Sequence, residues 1–411
     1  MRPIAVRAFS TVSAAGVGQA ALLAALRDGR TKLTPNVSTD PPLATHVGRV
    51  AALDDEAASR HDAGATLPPQ LAERWDARAT RLAWLGLNAD DFAEHARQAV
   101  KRHGATRVGL ALGTSASTIG VTEAAYRQLA RDGGFPPAMR QARLNTPHAL
   151  AMFAAEVLGV AGPAVTVSTA CSSSAKVFAL AERWLRLGLV DAVVVGGVEA
   201  LGASLLWGFA SLGLLSATPC RPFDRRRDGI SIGEAAGFAL LERGDEGGAG
   251  EDAAARLIGH GEASDAFHMS SPHPQGLGAD IALGAALARA GMAGDAVDYV
   301  NLHGTASAKN DEVEAGLVAR RYGPRTLVSA TKGLTGHAMG AAGMLEAALC
   351  LLALGHGVVP GSTGCEEPEA PDPAFGMRLV LAPRAQQIRI AVSHSFGFGG
   401  SNAVLVFAGA A

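Results

Sequence analysis

The sequence is poor in cysteine, in aromatic residues and in net charge. Only four cysteines occur in 411 residues: Cys171, Cys220, Cys350 and Cys365. They make no CxxC pair and no metal-ligand spacing, so neither a zinc module nor a disulfide scaffold is expected, and the chain reads as reduced and cytoplasmic. The formal net charge is -2, which excludes the strongly basic face of a nucleic-acid binder. No stretch reaches the roughly 18–20 apolar residues of a membrane span without a glycine or a charge, so no integral membrane segment is expected. At the N-terminus the apolar run is broken by Arg7 and Ser10, which favours a first strand over a signal peptide. Aromatics make up 5% of the chain, while 48% is hydrophobic and 50 residues are glycine. That balance fits a large core packed through small side chains, not a disordered chain.

Short β-rich runs occur at 107–112, 164–168, 192–195, 299–302, 327–329, 388–392 and 403–407, most of them continuous apolar runs bounded by Gly or Ser. They read as strands buried on both faces. Ala- and Leu-rich stretches with helical spacing lie between them, most clearly at 174–187 and 340–354. The alternation predicts an α/β architecture with largely parallel sheets. Two segments share one order. VSTACSSSAKVFALAERWLRLGLVDAVVVGG and VSATKGLTGHAMGAAGMLEAALCLLALGHGVVPGS each run strand, polar turn, small-residue helix, Gly-led turn, apolar strand. This points to an internal duplication, although any two βαβ units share that outline. Stretches 31–71, 244–252 and 364–373 have poor periodicity and read as excursions from the core.

Four motifs carry chemistry. In Thr169-Ala170-Cys171-Ser172-Ser173-Ser174 a strand ends and a helix begins, which puts the sulfur at a helix N-terminus and favours a thiolate. A lone cysteine is more often a structural core residue. Asn301-Leu302-His303-Gly304-Thr305 and Lys332-Gly333-Leu334-Thr335-Gly336-His337 place two histidines beside glycines at element boundaries, the second leading into a helix with Glu346. A Cys–His pair also occurs in proteases and hydrolases, but no protease signature accompanies this one. Ser395-Phe396-Gly397-Phe398-Gly399-Gly400-Ser401-Asn402 allows close backbone approach to a ligand and two aromatic covers, or is a tight turn between final strands.

Jointly, in this order, and with RPFDRRRDGISIGEAAG and SDAFHMSSPHP between them, these motifs resemble the β-ketoacyl-acyl-carrier-protein synthases of KAS I/II type in the thiolase superfamily. The resemblance implies a five-layered αβαβα thiolase fold of two duplicated halves, 1–243 with the nucleophilic cysteine and 244–411 with both histidines. It implies decarboxylative condensation of an acyl group with malonyl-carrier protein to a β-ketoacyl-carrier protein. Cys171 matches the acyl-accepting cysteine. His303 and His337 match the histidines acting on the malonyl donor, Lys332 the adjoining lysine, and Glu346 its acid partner. Phe398 matches the gating phenylalanine whose N–H joins that of Cys171 in an oxyanion hole. Asp265 and His268 fall in a second gating loop, and Phe209 and Phe396 beside the substrate pocket. Ala116, where some members carry Ile, implies a deeper acyl pocket. No cofactor is implied, since phosphopantetheine arrives on the carrier protein.

The run after His303 and the stretch SSSAKVF resemble the synthases of aryl polyene and xanthomonadin-type clusters. The implied partners are an acyl carrier protein and, in a homodimer or heterodimer, a second synthase-like chain. Arg74, Arg78 and Arg81 are expected on one helical face, and Arg74 and Arg78 are expected to dock an acidic carrier. Arg225, Arg226 and Arg227 form the other basic cluster. The competing readings are a chain-length-factor-like partner subunit, or an acyltransferase that does not condense.

Overall fold

A computed structural model of the chain describes residues 1–54, 65–140, 142–244, 253–369, 372–376 and 378–410. The acidic loop expected at 244–252 falls outside them apart from Gly244, as does part of the excursion at 31–71.

The strands along the path of the main sheet are β1 (Ile4–Ser13), β2 (Val108–Gly113), β3 (Ala164–Val167), β4 (Ala192–Glu199), β5 (Ala235–Arg243), β6 (Ala255–Ser264), β7 (Tyr299–Asn301), β8 (Leu327–Ser329), β9 (Ile390–Gly397) and β10 (Ser401–Gly409). In space they run β8-β7-β9-β10-β6-β1-β5-β4-β2-β3. Either side of the centre the order is the same: β3-β2-β4-β5-β1 becomes β8-β7-β9-β10-β6 when five is added to each number. The directions repeat as well. β2 is parallel to β3 and β4, and β7 to β8 and β9. The remaining pairs in each half are antiparallel. An identical order with identical directions is the signature of a duplicated unit. The halves join through a short antiparallel ladder, Ile4–Val6 against Ala255–Leu257.

The sheets are therefore mixed rather than largely parallel. A parallel pair needs a crossover, but β9 and β10 are joined directly by the Gly-rich turn, with Gly397 opposite Ser401. A second correction concerns the repeated segments. Val358–Val359 does not enter the main sheet but pairs with Arg384–Ala385, and β9 takes the corresponding place.

Side chains alternate across each strand and so feed separate layers. Val193 and Val195 of β4 enter the central core, while Val194 and Val198 enter the outer core of the first half. In β10, Leu405 and Phe407 point to the central core and Val404 and Val406 to the outer core of the second half. The central layer is two helices, α1 (Ser173–Arg186) and α2 (Ala342–His356). Helices Arg78–Asn88, Phe92–His103 and Ala149–Leu158 cover the first half, and Leu277–Ala290 and Ala308–Arg321 the second, which completes five layers. Residues Met339–His356 are long and apolar enough to cross a membrane by composition, but here they are buried between the sheets. α1 and α2 approach closely because their contact is small. A Cβ at Gly343 would lie 2.5 Å from the backbone nitrogen of Ala175, and Ser174 Oγ accepts the N–H of Met344 at 2.9 Å.

Candidate active site

The duplication places the functional groups. The turn after β3 and the turn after β8 occupy equivalent positions, each leading toward a central helix. The first carries Cys171 and the second Lys332 and His337, while His303 follows β7. Residues in the left-handed region mark these turns: Ala170 (φ 53°) before Cys171, Ala306 (φ 68°) after His303 and Met339 (φ 49°) after His337. Such conformations cost non-glycine residues about 1–3 kcal/mol each and persist where the surroundings hold them. Around Cys171 the holding bonds are Ser173 Oγ donating to Ala170 O at 2.6 Å and accepting Thr169 N–H at 2.8 Å.

The Cys171 sulfur and one ring nitrogen each of His303 and His337 lie within 4.8 Å of one another, all buried. The imidazole rings are nearly perpendicular, with centroids 5.3 Å apart. This is also the one group of His, Cys or carboxylate atoms among the described residues close enough to share a metal ion; the reaction proposed below uses them without one. Lys332 Nζ donates to the His303 carbonyl and to Glu346, and lies 3.4 Å from His303 Nδ1. An ammonium only donates, so Nδ1 is the acceptor and the His303 proton sits on Nε2.

Burial dominates the electrostatics. It pushes the Cys171 thiol up to about 11, against the smaller opposing effects of the Lys332 charge and of a hydrogen bond from the Phe398 N–H. The expectation from the helix N-terminus favours a thiolate, whereas loss of solvent around the sulfur acts in the opposite direction and favours the thiol. Burial, followed by the Lys332 charge, holds both His303 and His337 well below the ordinary imidazole value, so both are neutral at pH 7. Burial also raises the Glu346 carboxyl to about 7, with Lys332 pulling the other way.

The motif RPFDRRRDGISIGEAAG supports the second histidine. His337 N–H donates to Ser231 O and its carbonyl accepts the Gly233 N–H. A Cβ at Gly233 would lie 2.5 Å from Thr335 O. Three of its four arginines are ion-paired: Arg225 with Glu367, Arg226 with Asp224 and Glu366, Arg227 with Glu369.

A cavity of about 460 Å³ opens onto Cys171, His303 and His337, with Phe209, Phe396 and Phe398 in its wall. The Phe209 and Phe398 rings are 5.6 Å apart. Asp265 lines it too. This side chain accepts the N–H groups of His273 and Gly278 and the amide of Asn402, which ties one loop to the Gly-rich turn. Gly399 N–H donating to Met269 O adds a second tie.

Four expected residues stand elsewhere or apart. His268 is exposed and folds back to accept the N–H groups of Ser270 and Ser271, outside the cavity wall. Ala116 sits in a turn whose N–H groups bond to the buried Glu199, also outside that wall. Arg74 and Arg78 do not share a helical face. Helix Pro69–Trp75 ends before Asp76, and the next helix starts at Arg78. Arg78 is turned inward, at 2.5 Å from the fully buried Glu234 and 3.4 Å from Asp54. Arg74 remains half exposed, against Glu156. Sequence reasoning missed Lys309, an exposed cation at the cavity rim with no ion-pair partner among the described residues. It also missed Glu314, which accepts the backbone N–H groups of His303 and Gly304, both at 2.8 Å. Its signal was an acid eleven residues after a loop histidine, too common a spacing to single out.

Taken together, the site offers a shielded thiol, two neutral imidazoles and a backbone donor around one point, an arrangement suited to acyl transfer. Residues 1–247 match the family described as Beta-ketoacyl synthase, N-terminal domain, and residues 254–366 its C-terminal domain. Nodulation protein E of Rhizobium leguminosarum bv. trifolii is 31% identical over 415 residues, covering 99% of each chain. The 3-oxoacyl-[acyl-carrier-protein] synthase 2 of Vibrio cholerae is 32% identical over 322 residues, 75% of this chain and 77% of the relative. Among solved structures, the ketosynthase ApeO in complex with its chain length factor ApeC, from Xenorhabdus doucetiae, superposes with a TM-score of 0.86 at 32% identity, covering 100% of this chain and 98% of that one.

Proposed function

The chain belongs to the β-ketoacyl synthase family, as a 3-oxoacyl-[acyl-carrier-protein] synthase of the acyltransferase class, and we propose that Cys171, His303 and His337 carry out its condensation in two half-reactions. The observation behind this reading is the meeting of the three side chains within 4.8 Å at the base of one cavity.

In the first half-reaction the Cys171 sulfur attacks an acyl thioester on a carrier protein. The thiol is protonated at rest, so its proton passes to the neutral imidazole of His337, whose acceptor nitrogen is not taken up by Lys332, as the carbon–sulfur bond forms, and then to the leaving thiolate of the carrier arm. The N–H groups of Cys171 and Phe398 receive the oxyanion. In the second, malonyl-carrier protein enters, the bond to its carboxylate breaks and CO₂ leaves. The electron pair becomes an enolate whose oxygen is held by N–H donors of His303 and His337. The enolate carbon attacks the acyl-Cys171 carbonyl. Collapse of that adduct expels the Cys171 sulfur, which takes up from solvent the one proton that decarboxylative condensation consumes. Neutral imidazoles suit this task, since a buried imidazolium would be discouraged by the Lys332 charge beside it. Lys332 and Glu346 position His303, and Phe398 gates the cavity against Phe209.

We put the boundary between halves at 243/244; the end of β5 at Arg243 supports it. The acyl substrates are read as medium to long, or polyenoyl as in aryl polyene and xanthomonadin-type synthesis, on the strength of SSSAKVF, the run after His303 and the small Ala116. Asp265 and His268 are assigned to a gating loop over the pocket. Arg74 is the docking cation we retain for an acidic carrier. A cytoplasmic homodimer, or a heterodimer with a chain-length-factor-like chain, is the proposed assembly; the pairing of ApeO with ApeC supports the second. The test is a mass-spectrometric assay with malonyl-carrier protein and a panel of acyl-carrier proteins. Extended product that vanishes in Cys171→Ala is the expected result. Acylation of Cys171 without extension would reject a self-sufficient synthase and favour an acyltransferase or an absent partner subunit.

A further inference from the structure

Behind His303, away from the cavity, lies a chain of buried hydrogen bonds that the reaction above does not use. The Tyr322 hydroxyl, just past helix Ala308–Arg321, is 2.7 Å from Nε2 of His394. Nδ1 of His394, in β9, is 2.9 Å from Oε1 of Glu314. His394 and Glu314 are fully buried. Glu314 in turn holds the backbone N–H groups of His303 and Gly304. A second route runs alongside through Phe396, whose ring lies 5.2 Å from His394 and 5.8 Å from His303.

A buried polar chain has to be consistent from end to end, because an unpaired member is costly. A neutral imidazole has one donor and one acceptor nitrogen. Burial holds the Tyr322 phenol well above its ordinary value, so the hydroxyl keeps its proton. It donates to Nε2. Nδ1 then carries the ring proton and donates to Glu314, whose other donors are the two backbone N–H groups and, at 3.5 Å, the Asn310 amide. The opposite tautomer would set a lone pair of Nδ1 against a carboxylate.

We propose that His394 is a positioning residue for His303: fixed as the Nδ1–H tautomer by Tyr322, it locks the Glu314 carboxylate under the His303–Gly304 backbone and, through Phe396, backs the His303 ring toward Cys171. The proposal rests on the role given to His303 above. Because His303 serves the malonyl half-reaction, a loosened His303 slows condensation and leaves acylation of Cys171 in place.

The experiment compares the whole protein with His394→Leu, His394→Asn and Tyr322→Phe, following Cys171 acylation and the extension of pre-acylated protein separately. His394→Leu is expected to acylate within about twofold of wild type and to condense about 10- to 100-fold more slowly, as expected of a group displaced by less than or about 1 Å. His394→Asn, whose amide still donates and accepts, is expected to recover most of the loss, with Tyr322→Phe between them. Equal losses in both half-reactions, or wild-type condensation in His394→Leu, overturn the proposal. The ¹⁵N-histidine spectrum of the resting protein is a readout free of catalysis. The resonance that disappears in His394→Asn is expected at the shifts of a neutral Nδ1–H ring; an Nε2–H ring or an imidazolium overturns the proposal. Should His394→Leu not fold, Tyr322→Phe and the spectrum decide. A wild-type protein that loads Cys171 yet never condenses would overturn the reading of His303 itself, and this proposal with it, whatever the variants do.

Discussion

The ammonium of Lys332 and the carboxylate of Glu346 meet in the interior, each side chain only 3% exposed. Lys332 also bonds to the His303 carbonyl, so the pair joins α2 to the histidine loop. Ser395 Oγ donates to the other Glu346 oxygen at 3.3 Å. Removing one partner strands the other charge away from water. At a pH above the value of about 7 to which burial raises the carboxyl, Glu346→Ala is expected to destabilise the protein by about 3–5 kcal/mol, read as a fall in urea midpoint with unchanged slope. A loss under about 1 kcal/mol, the range of exposed pairs, would contradict the buried pair.

Burial also sets the reactivity of the nucleophile. The Cys171 thiol is raised from its ordinary value to about 11, so the thiol is the stable form throughout the neutral range. The thiolate fraction then grows about tenfold per pH unit up to that value. Iodoacetamide labelling of Cys171, followed by peptide mass spectrometry, should accelerate steadily between pH 7 and pH 9.5 without a plateau. A plateau near neutrality would mean a preformed thiolate.

The sequence revealed these groups because short motifs carry local constraint. A cysteine between small residues where a strand meets a helix, and histidines beside glycine at strand ends, can be recognised without tertiary information. The duplicated architecture was visible in the order of elements around Cys171 and His337. What stayed hidden depends on distance. Most antiparallel pairs escaped because β5 and β6 carry Ala and Gly instead of long β-branched runs; β9 and β10 were legible as strands, but not their direct connection. The burial of the thiol escaped because a helix N-terminus is legible locally, whereas desolvation is the work of side chains from both halves. Arg78 was read as a free surface cation because its partner, Glu234, lies 156 positions away.

Arg74 and Arg78 therefore separate in experiment. Glu234 accepts the N–H groups of Val50 and Leu201 as well as the Arg78 guanidinium. Arg78→Ala leaves that buried carboxylate without its cation and is expected to cost about 3–5 kcal/mol. Arg74→Glu breaks only a half-exposed pair with Glu156, worth about 0–1 kcal/mol. It is expected to leave Tm nearly unchanged while weakening carrier-protein affinity, most clearly at low ionic strength. Equal affinity for wild type and Arg74→Glu in low salt would remove Arg74 from the docking face.

Ala116 tests the acyl specificity. Its N–H bonds to Glu199 Oε1 at 2.9 Å, the Ser115 N–H to Oε2 at 2.6 Å, and the Gly340 N–H to Oε2 at 3.0 Å. These bonds use the backbone, so a larger side chain at 116 can leave them intact. The turn they fix thus holds the 116 side chain in one place relative to the start of α2. Ala116→Ile adds three carbons there. If that side chain bounds the acyl pocket, long primers lose room and short ones do not. The expected outcome is a shift of the preferred primer to shorter chains, by roughly the 1–3 kcal/mol that a methylene's worth of pocket decides, measured as relative kcat/KM across an acyl-carrier panel. An unchanged ranking, with Tm preserved, would place the acyl chain elsewhere and withdraw Ala116 from the pocket.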